Sequence, residues 1–230
     1  MNFKKLFASL TPFEWGLWLF SLVGVLICTL LSPDFHLLGM LASLLGVTSL
    51  IFIAKGAWQG QILIVIFATL YGIVSFEQRY FGEMITYLCM TLPMAVICLV
   101  SWFRHPYKET SEVKINSLRP AYLAILVPLS AAVSVGLYFL LGALGTQNLV
   151  ISTLSVTTSF FAASLTFLRT PYFALAYAVN DIVLITLWVD ASLKSPAYIS
   201  MVVCFFVFLI NDTYSFINWM KMRRRQRAKM

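Results

Sequence analysis

Charge is scarce in this chain. Only 11% of its 230 residues are Asp, Glu, Lys or Arg, against roughly 25% in an ordinary soluble domain, which excludes a soluble globular fold. Histidine occurs twice and cysteine four times. His36 and His105 stand alone in loops, while Cys28, Cys89, Cys98 and Cys204 fall inside apolar segments as small buried hydrophobes, with no C-x-x-C spacing. Metal ligation and histidine-based catalysis need convergent donors at fixed spacing, so no metal site, cofactor or catalytic grouping is expected, and hence no enzyme. The phosphate-cradling G-x-x-x-x-G-K-[ST] loop is missing too, which excludes ATP hydrolysis. No Lys or Arg lies well within an apolar segment. A phosphate taken out of water needs cationic donors, so a phosphorylated cargo is not expected.

What the chain has in quantity is hydrocarbon: 60% hydrophobic residues and a mean hydropathy of +0.88. These values define an integral membrane protein, expected to be a single all-α, polytopic transmembrane domain over 1–230. Eight runs have the roughly 17–25 residues that cross a bilayer: Phe13–Leu31, Leu37–Ala54, Gly60–Phe76, Met84–Trp102, Ala121–Leu144, Asn148–Leu168, Tyr172–Asp190 and Ala197–Trp219. Thr11 and Pro12 read as a helix start. The first run is long for a signal peptide, and Ser32-Pro33-Asp34 is a poor cleavage site, so it is expected to remain as a helix. Pro93 and Pro128 lie within runs and mark candidate kinks.

The net charge of +7 does not point to nucleic acid, because the basic residues sit in loops and in the tail 220–230 rather than on an amphipathic face. They instead follow the positive-inside rule. With both termini cytoplasmic, Lys4, Lys5, Lys55, Arg104, Lys108, Lys114, Arg119, Arg169 and the tail cations fall inside, leaving Arg79 and Lys194 outside. That arrangement predicts a multi-pass protein of the cell (inner or plasma) membrane, with lipid as its surroundings.

A weak internal repeat organises the runs. An ungapped slide of the chain by about 117 positions superposes Ala57 on Ala174, Thr69-Leu70-Tyr71 on Thr186-Leu187-Trp188 and Trp102 on Trp219, together with the span boundaries. The expected layout is therefore 1+3+1+3: an extra helix at 13–31, repeat 1 over 37–102, a linker helix at 121–144 and repeat 2 over 148–219. An odd linker gives both triplets the same orientation, a SWEET-like parallel repeat.

Polar residues in lipid are costly, about 2.5–3.5 kcal/mol for a carboxylate at a helix centre, so they mark a bundle interior or a wet cavity. Asn180 and Asp181 lie inside the seventh run, and Asn211 and Asp212 near the end of the eighth. At helical spacing Tyr177, Asp181, Leu184 and Trp188 form one stripe with Asn180 at its edge, and Asn211, Tyr214 and Asn218 another with Asp212 at its side. The two stripes are expected to converge on one cavity, with Gln61 and Tyr71 reaching it from the first repeat. Aromatic faces would hold a planar ring, while Asn and Asp would bond hydroxyls or an amide. The competing reading is that these groups tie helix to helix.

These features together resemble the PnuC family of vitamin-uptake proteins: the 3+1+3 layout, Tyr71-Gly72, the Tyr80, Gly82 and Glu83 stretch, Leu187-Trp188, and the closing Asn211, Asp212, Tyr214 and Trp219. The resemblance implies a facilitator with one central site, often a homotrimer, that passes nicotinamide riboside or another unphosphorylated nucleoside or vitamin inward. It also implies a cytoplasmic kinase that phosphorylates and traps the cargo. Family members line the site with an aromatic followed four residues later by Asn; here Tyr177 and Asp181 hold that spacing, and Val207 precedes Asn211. Deoxynucleosides, thiamine and riboflavin are the alternative cargoes. A non-transporting membrane scaffold or receptor subunit is the alternative class, distinguished by partner binding without flux.

Overall fold

The computed structural model describes residues 3–31, 37–77, 84–108, 110, 112–146, 148–194 and 199–228. After a short helix α1 (Phe3–Ala8), the helices are α2 (Pro12–Leu30), α3 (Leu37–Ala54), α4 (Gln59–Glu77), α5 (Thr86–Arg104), α6 (Pro120–Ala143), α7 (Leu149–Phe167), α8 (Tyr172–Lys194) and α9 (Ile199–Ala228). Eight helices among the described residues are long and apolar enough to cross a membrane. They match the expected spans to within a few residues, except that the basic segment after Trp219 continues α9 to Ala228 instead of forming a separate tail. Arg79 and the Tyr80–Glu83 stretch lie outside the described residues.

Thr11 starts α2 through a capping box, its hydroxyl accepting from Glu14 N at 3.2 Å while its own N–H donates to Glu14 Oε2 at 2.7 Å. Helix α5 opens with a wide π-helical stretch, Thr86–Thr91, and turns α-helical at Leu92. Pro93 follows directly, and its missing N–H leaves the Cys89 carbonyl without an α-helical donor, an interruption that the wide turn accommodates. Cys89, expected inside the bundle, lies on its outer surface, and all four cysteines are free thiols.

α3 packs on α4 and α4 on α5; α7 packs on α8 and α8 on α9; α9 and α5 cross over to touch α3 and α7 respectively. The crossovers are matched in detail. Trp219 donates its indole N–H to the Ile53 carbonyl at 2.8 Å, and Asn218 donates to Ala54 O at 2.8 Å. Likewise, Trp102 donates to Thr166 O at 3.0 Å and Ser101 to Phe167 O at 3.0 Å. Each pair caps the last two carbonyls of a helix in the other group, of which Ile53 O and Thr166 O also accept a backbone N–H, from Gly56 at 2.8 Å and Arg169 at 3.0 Å. Gly56 and Arg169 then leave these helices in left-handed conformation, with φ of 66° and 56°. Their carbonyls accept from Val113 N at 2.9 Å and Asn116 N at 3.0 Å, so one loop plates both helix ends. Ile53 and Thr166 are 113 positions apart, whereas Trp102 and Trp219 keep the spacing of 117. The ungapped slide that set Ala57 on Ala174 is therefore four residues out of step at the first turn, where Ala57 corresponds to Thr170 through the same backbone bonds.

Trp102, Trp219 and Phe173 form the buried aromatic centre of this end, with Trp102 and Trp219 ring centroids 5.2 Å apart. Close approach of α3 and α4 depends on Gly60. A Cβ there would stand 2.9 Å from Ile53 N and 3.0 Å from Ser49 O, both backbone atoms that move only with the helix. Gly60→Ala is expected to destabilise the protein by about 1–3 kcal/mol through overpacking, read as a lower unfolding temperature in detergent.

Candidate functional site

Between α4 and α5 on one side and α7, α8 and α9 on the other lies a cavity of about 320 Å³, at the lower end of the range for small-molecule sites. Helix α8 presents Tyr177, Asn180, Asp181, Leu184 and Trp188 to it. Helix α4 contributes Gln61, Phe67 and Tyr71, and the π-helical stretch of α5 contributes Thr86, Tyr87 and Thr91. The wide turn matters because it displaces successive side chains from α-helical register. The rings of Tyr71 and Tyr87 lie tilted against each other with centroids 4.4 Å apart, and Phe67 closes the group at 5.6 and 5.7 Å. From α9 come Met201, Phe205, Phe208 and Asp212, spaced four, three and four along one face.

Asp181 and Asp212 are 3% and 4% exposed. Their carboxyl groups stand side by side, within hydrogen-bond reach of one another. Asp181 Oδ2 meets no N–H or O–H donor among the described residues, and Gln61 Nε2 meets no acceptor. Asn180, by contrast, has its Oδ1 engaged by the Thr158 hydroxyl at 2.7 Å, so part of its capacity is spent on joining α7 to α8.

Asn211 and Tyr214, expected in this cavity, do not line it. Asn211 Nδ2 donates to Ser21 Oγ at 2.8 Å and to Val207 O, and Tyr214 Oη donates to Glu14 Oε1 at 2.8 Å. Both side chains face α2. Helix α9 carries two polar stripes about 100° apart, and the one holding Asn211, Tyr214 and Asn218 is taken up by α2 and α3, leaving Asp212 for the cavity. The expected meeting of Asp181 with Asn211 is thus a meeting of Asp181 with Asp212. Sequence reasoning also overlooked Glu14, which accepts from Lys55 Nζ at 3.0 Å. It overlooked the cavity hydroxyls as well. Ser152, Ser155 and Ser159 recur three and four residues apart in α7, a stripe legible in the sequence; Thr86 and Tyr87 gave no comparable signal.

A helical bundle that crosses the membrane eight times around a ligand-sized, aromatic and polar cavity is a small-solute transporter by architecture. The chain belongs to the nicotinamide mononucleotide transporter family, whose model matches residues 36–221. It is 27% identical over 229 residues to the nicotinamide riboside transporter PnuC of Neisseria mucosa, covering 96% of this chain and 86% of that protein. The crystal structure of the vitamin B3 transporter PnuC superposes with a TM-score of 0.80 at 26% identity, covering 96% of both chains.

Proposed function

We propose that this protein is a facilitator that carries unphosphorylated nicotinamide riboside across the cell membrane. The observation that carries the reading is the composition of the cavity wall: aromatic rings, amides, hydroxyls and two carboxyls, with no Lys, Arg or His among the described lining residues. A flat ring stacks against Trp188 or Tyr71, and Gln61, Asn180 and the carboxyls of Asp181 and Asp212 bond its amide and sugar. The phosphate of the mononucleotide, for which the family is described, would meet two carboxyls and no cation. The matched tryptophan caps support two like-oriented triplets that rock against each other. Positive-inside sorting supports placing the end that holds Lys55, Arg104, Arg169 and the last turns of α9 in the cytoplasm. A facilitator moves its cargo only down a gradient, so accumulation needs a cytoplasmic kinase that adds the phosphate this cavity refuses. Helix α6, with Ile125, Val127, Val135 and Phe139 exposed, supplies an apolar face for lipid or for the neighbouring copies of a homotrimer.

Proteoliposomes test this reading. Labelled nicotinamide riboside should enter saturably without ATP or an ion gradient, and excess nicotinamide mononucleotide should not compete. Equal competition by the mononucleotide sinks the cargo assignment, and binding without flux makes the chain a receptor subunit. Trp188→Ala is expected to weaken riboside binding about tenfold, the loss typical of one stacked ring. Asn211→Ala should leave the dissociation constant alone while lowering the unfolding temperature, because its bonds go to α2.

A further inference from the structure

We infer that Asp181 and Asp212 together are the counter-charge for a cationic heteroaromatic ring, so that the cavity selects its cargo by charge as well as by shape. The inference deepens the transport reading and rests on it.

The other buried carboxylate of the bundle shows what a purely structural acid looks like here. Glu14, 2% exposed, is satisfied by the Thr11 N–H, the Lys55 ammonium and the Tyr214 hydroxyl. Asp181 has no such set. It is equally buried, its Oδ2 has no donor among the described residues, and the charged group it interacts with is the carboxyl of Asp212. Two acids on adjoining helices, close enough to share one proton, carry one negative charge between them, and no basic side chain among the described lining residues meets it. Buried acids without paired cations are expensive in a membrane and are kept for ligands or ions.

An independent observation points to an organic ligand rather than a bare ion. Gln61, on the first group of helices, is 3% exposed, lines the same cavity and holds out an Nε2 donor without an acceptor. A carbonyl or hydroxyl on the cargo would complete it. The rings of Phe67, Tyr71 and Tyr87 lie together in the same wall, and aromatic faces attract a flat cation through their quadrupoles. Carboxyls, amide donor and clustered aromatic rings thus suit one ring that is planar, positively charged and bears a polar substituent: a pyridinium or a thiazolium.

The experiment compares two forms of one cargo by binding calorimetry on purified protein: nicotinamide riboside, whose pyridinium ring is cationic, and its dihydro form, which keeps the ribose and carboxamide but has a neutral ring. The wild type is expected to bind the cation at least about tenfold more tightly, the scale of one interaction with a charged group. The preference should fall to within about threefold in Asp181→Asn and in Asp212→Asn, each checked for monodispersity. Equal affinities in the wild type, or a preference that persists in both folded variants, overturn the inference. If neither riboside form binds, the riboside assignment has failed, and thiamine against its uncharged oxidation product thiochrome repeats the comparison. Selective binding of thiamine then upholds charge selection, whereas no binding of either cation overturns it as well.

Discussion

Trp219→Ala is expected to destabilise the protein by about 3–5 kcal/mol, the usual cost of deleting a large buried aromatic. Trp219 is fully buried against Trp102 and Phe173, and its indole N–H is the donor that reaches the Ile53 carbonyl at the end of α3. The substitution opens a cavity at the junction of the helix groups and leaves that carbonyl without its side-chain donor. Trp219→Phe helps to separate the two effects, since it loses the donor and the pyrrole part of the indole but keeps a six-membered ring in the site. Its cost should be closer to 1 kcal/mol, the net worth of one hydrogen bond. Thermal unfolding in detergent gives the order wild type, Trp219→Phe, Trp219→Ala. If Phe were as damaging as Ala, packing would not be the main contribution of this side chain.

A second large effect is expected at Glu14. Its carboxylate joins three parts of the chain: the start of α2, Lys55 just beyond α3, and Tyr214 on α9. Glu14→Ala removes a cap and an ion pair at once and leaves the Tyr214 hydroxyl without its acceptor. Because the Lys55 side chain keeps 19% of its exposure, its ammonium can turn toward water, so the cost should be about 1–3 kcal/mol rather than that of a fully buried pair. The useful measurement is a double-mutant cycle with Lys55→Met. Coupling between the two sites should appear in unfolding temperature, while the riboside dissociation constant stays put, because neither residue lines the cavity. A change in affinity without a change in stability would mean that α2 takes part in the transport cycle.

The spans were legible because crossing lipid demands an uninterrupted apolar run of set length, a one-dimensional requirement that the order of residues meets by itself. The sorting of cations to one end is one-dimensional in the same way. The α8 stripe of Tyr177, Asp181 and Trp188 was also readable, since helical periodicity alone puts those residues on one face. Periodicity says nothing about what that face meets. On α9 it offered Asn211, Tyr214 and Asp212 together as cavity residues, with nothing to say which of them turns inward.

What decided this was the packing of α2. Glu14 and Ser21 on that helix hold the acceptors that Tyr214 and Asn211 bond, and this rotates α9 so that Asp212 turns inward beside Asp181. The π-helical stretch that brings Thr86 and Tyr87 into the wall ends just before Pro93, which has no N–H for the Cys89 carbonyl; the sequence marked an irregularity there, but not which side chains it would turn into the cavity. The bonds from tryptophan and small polar donors on α9 and α5 to the ends of α3 and α7 needed three dimensions as well, because they join residues 64 to 166 positions apart. Membrane insertion and helix count were thus set by the sequence alone, through the cost of each residue in lipid. Which carboxyls meet in the cavity was set by the tertiary structure, because only neighbouring helices determine how far a helix turns about its own axis.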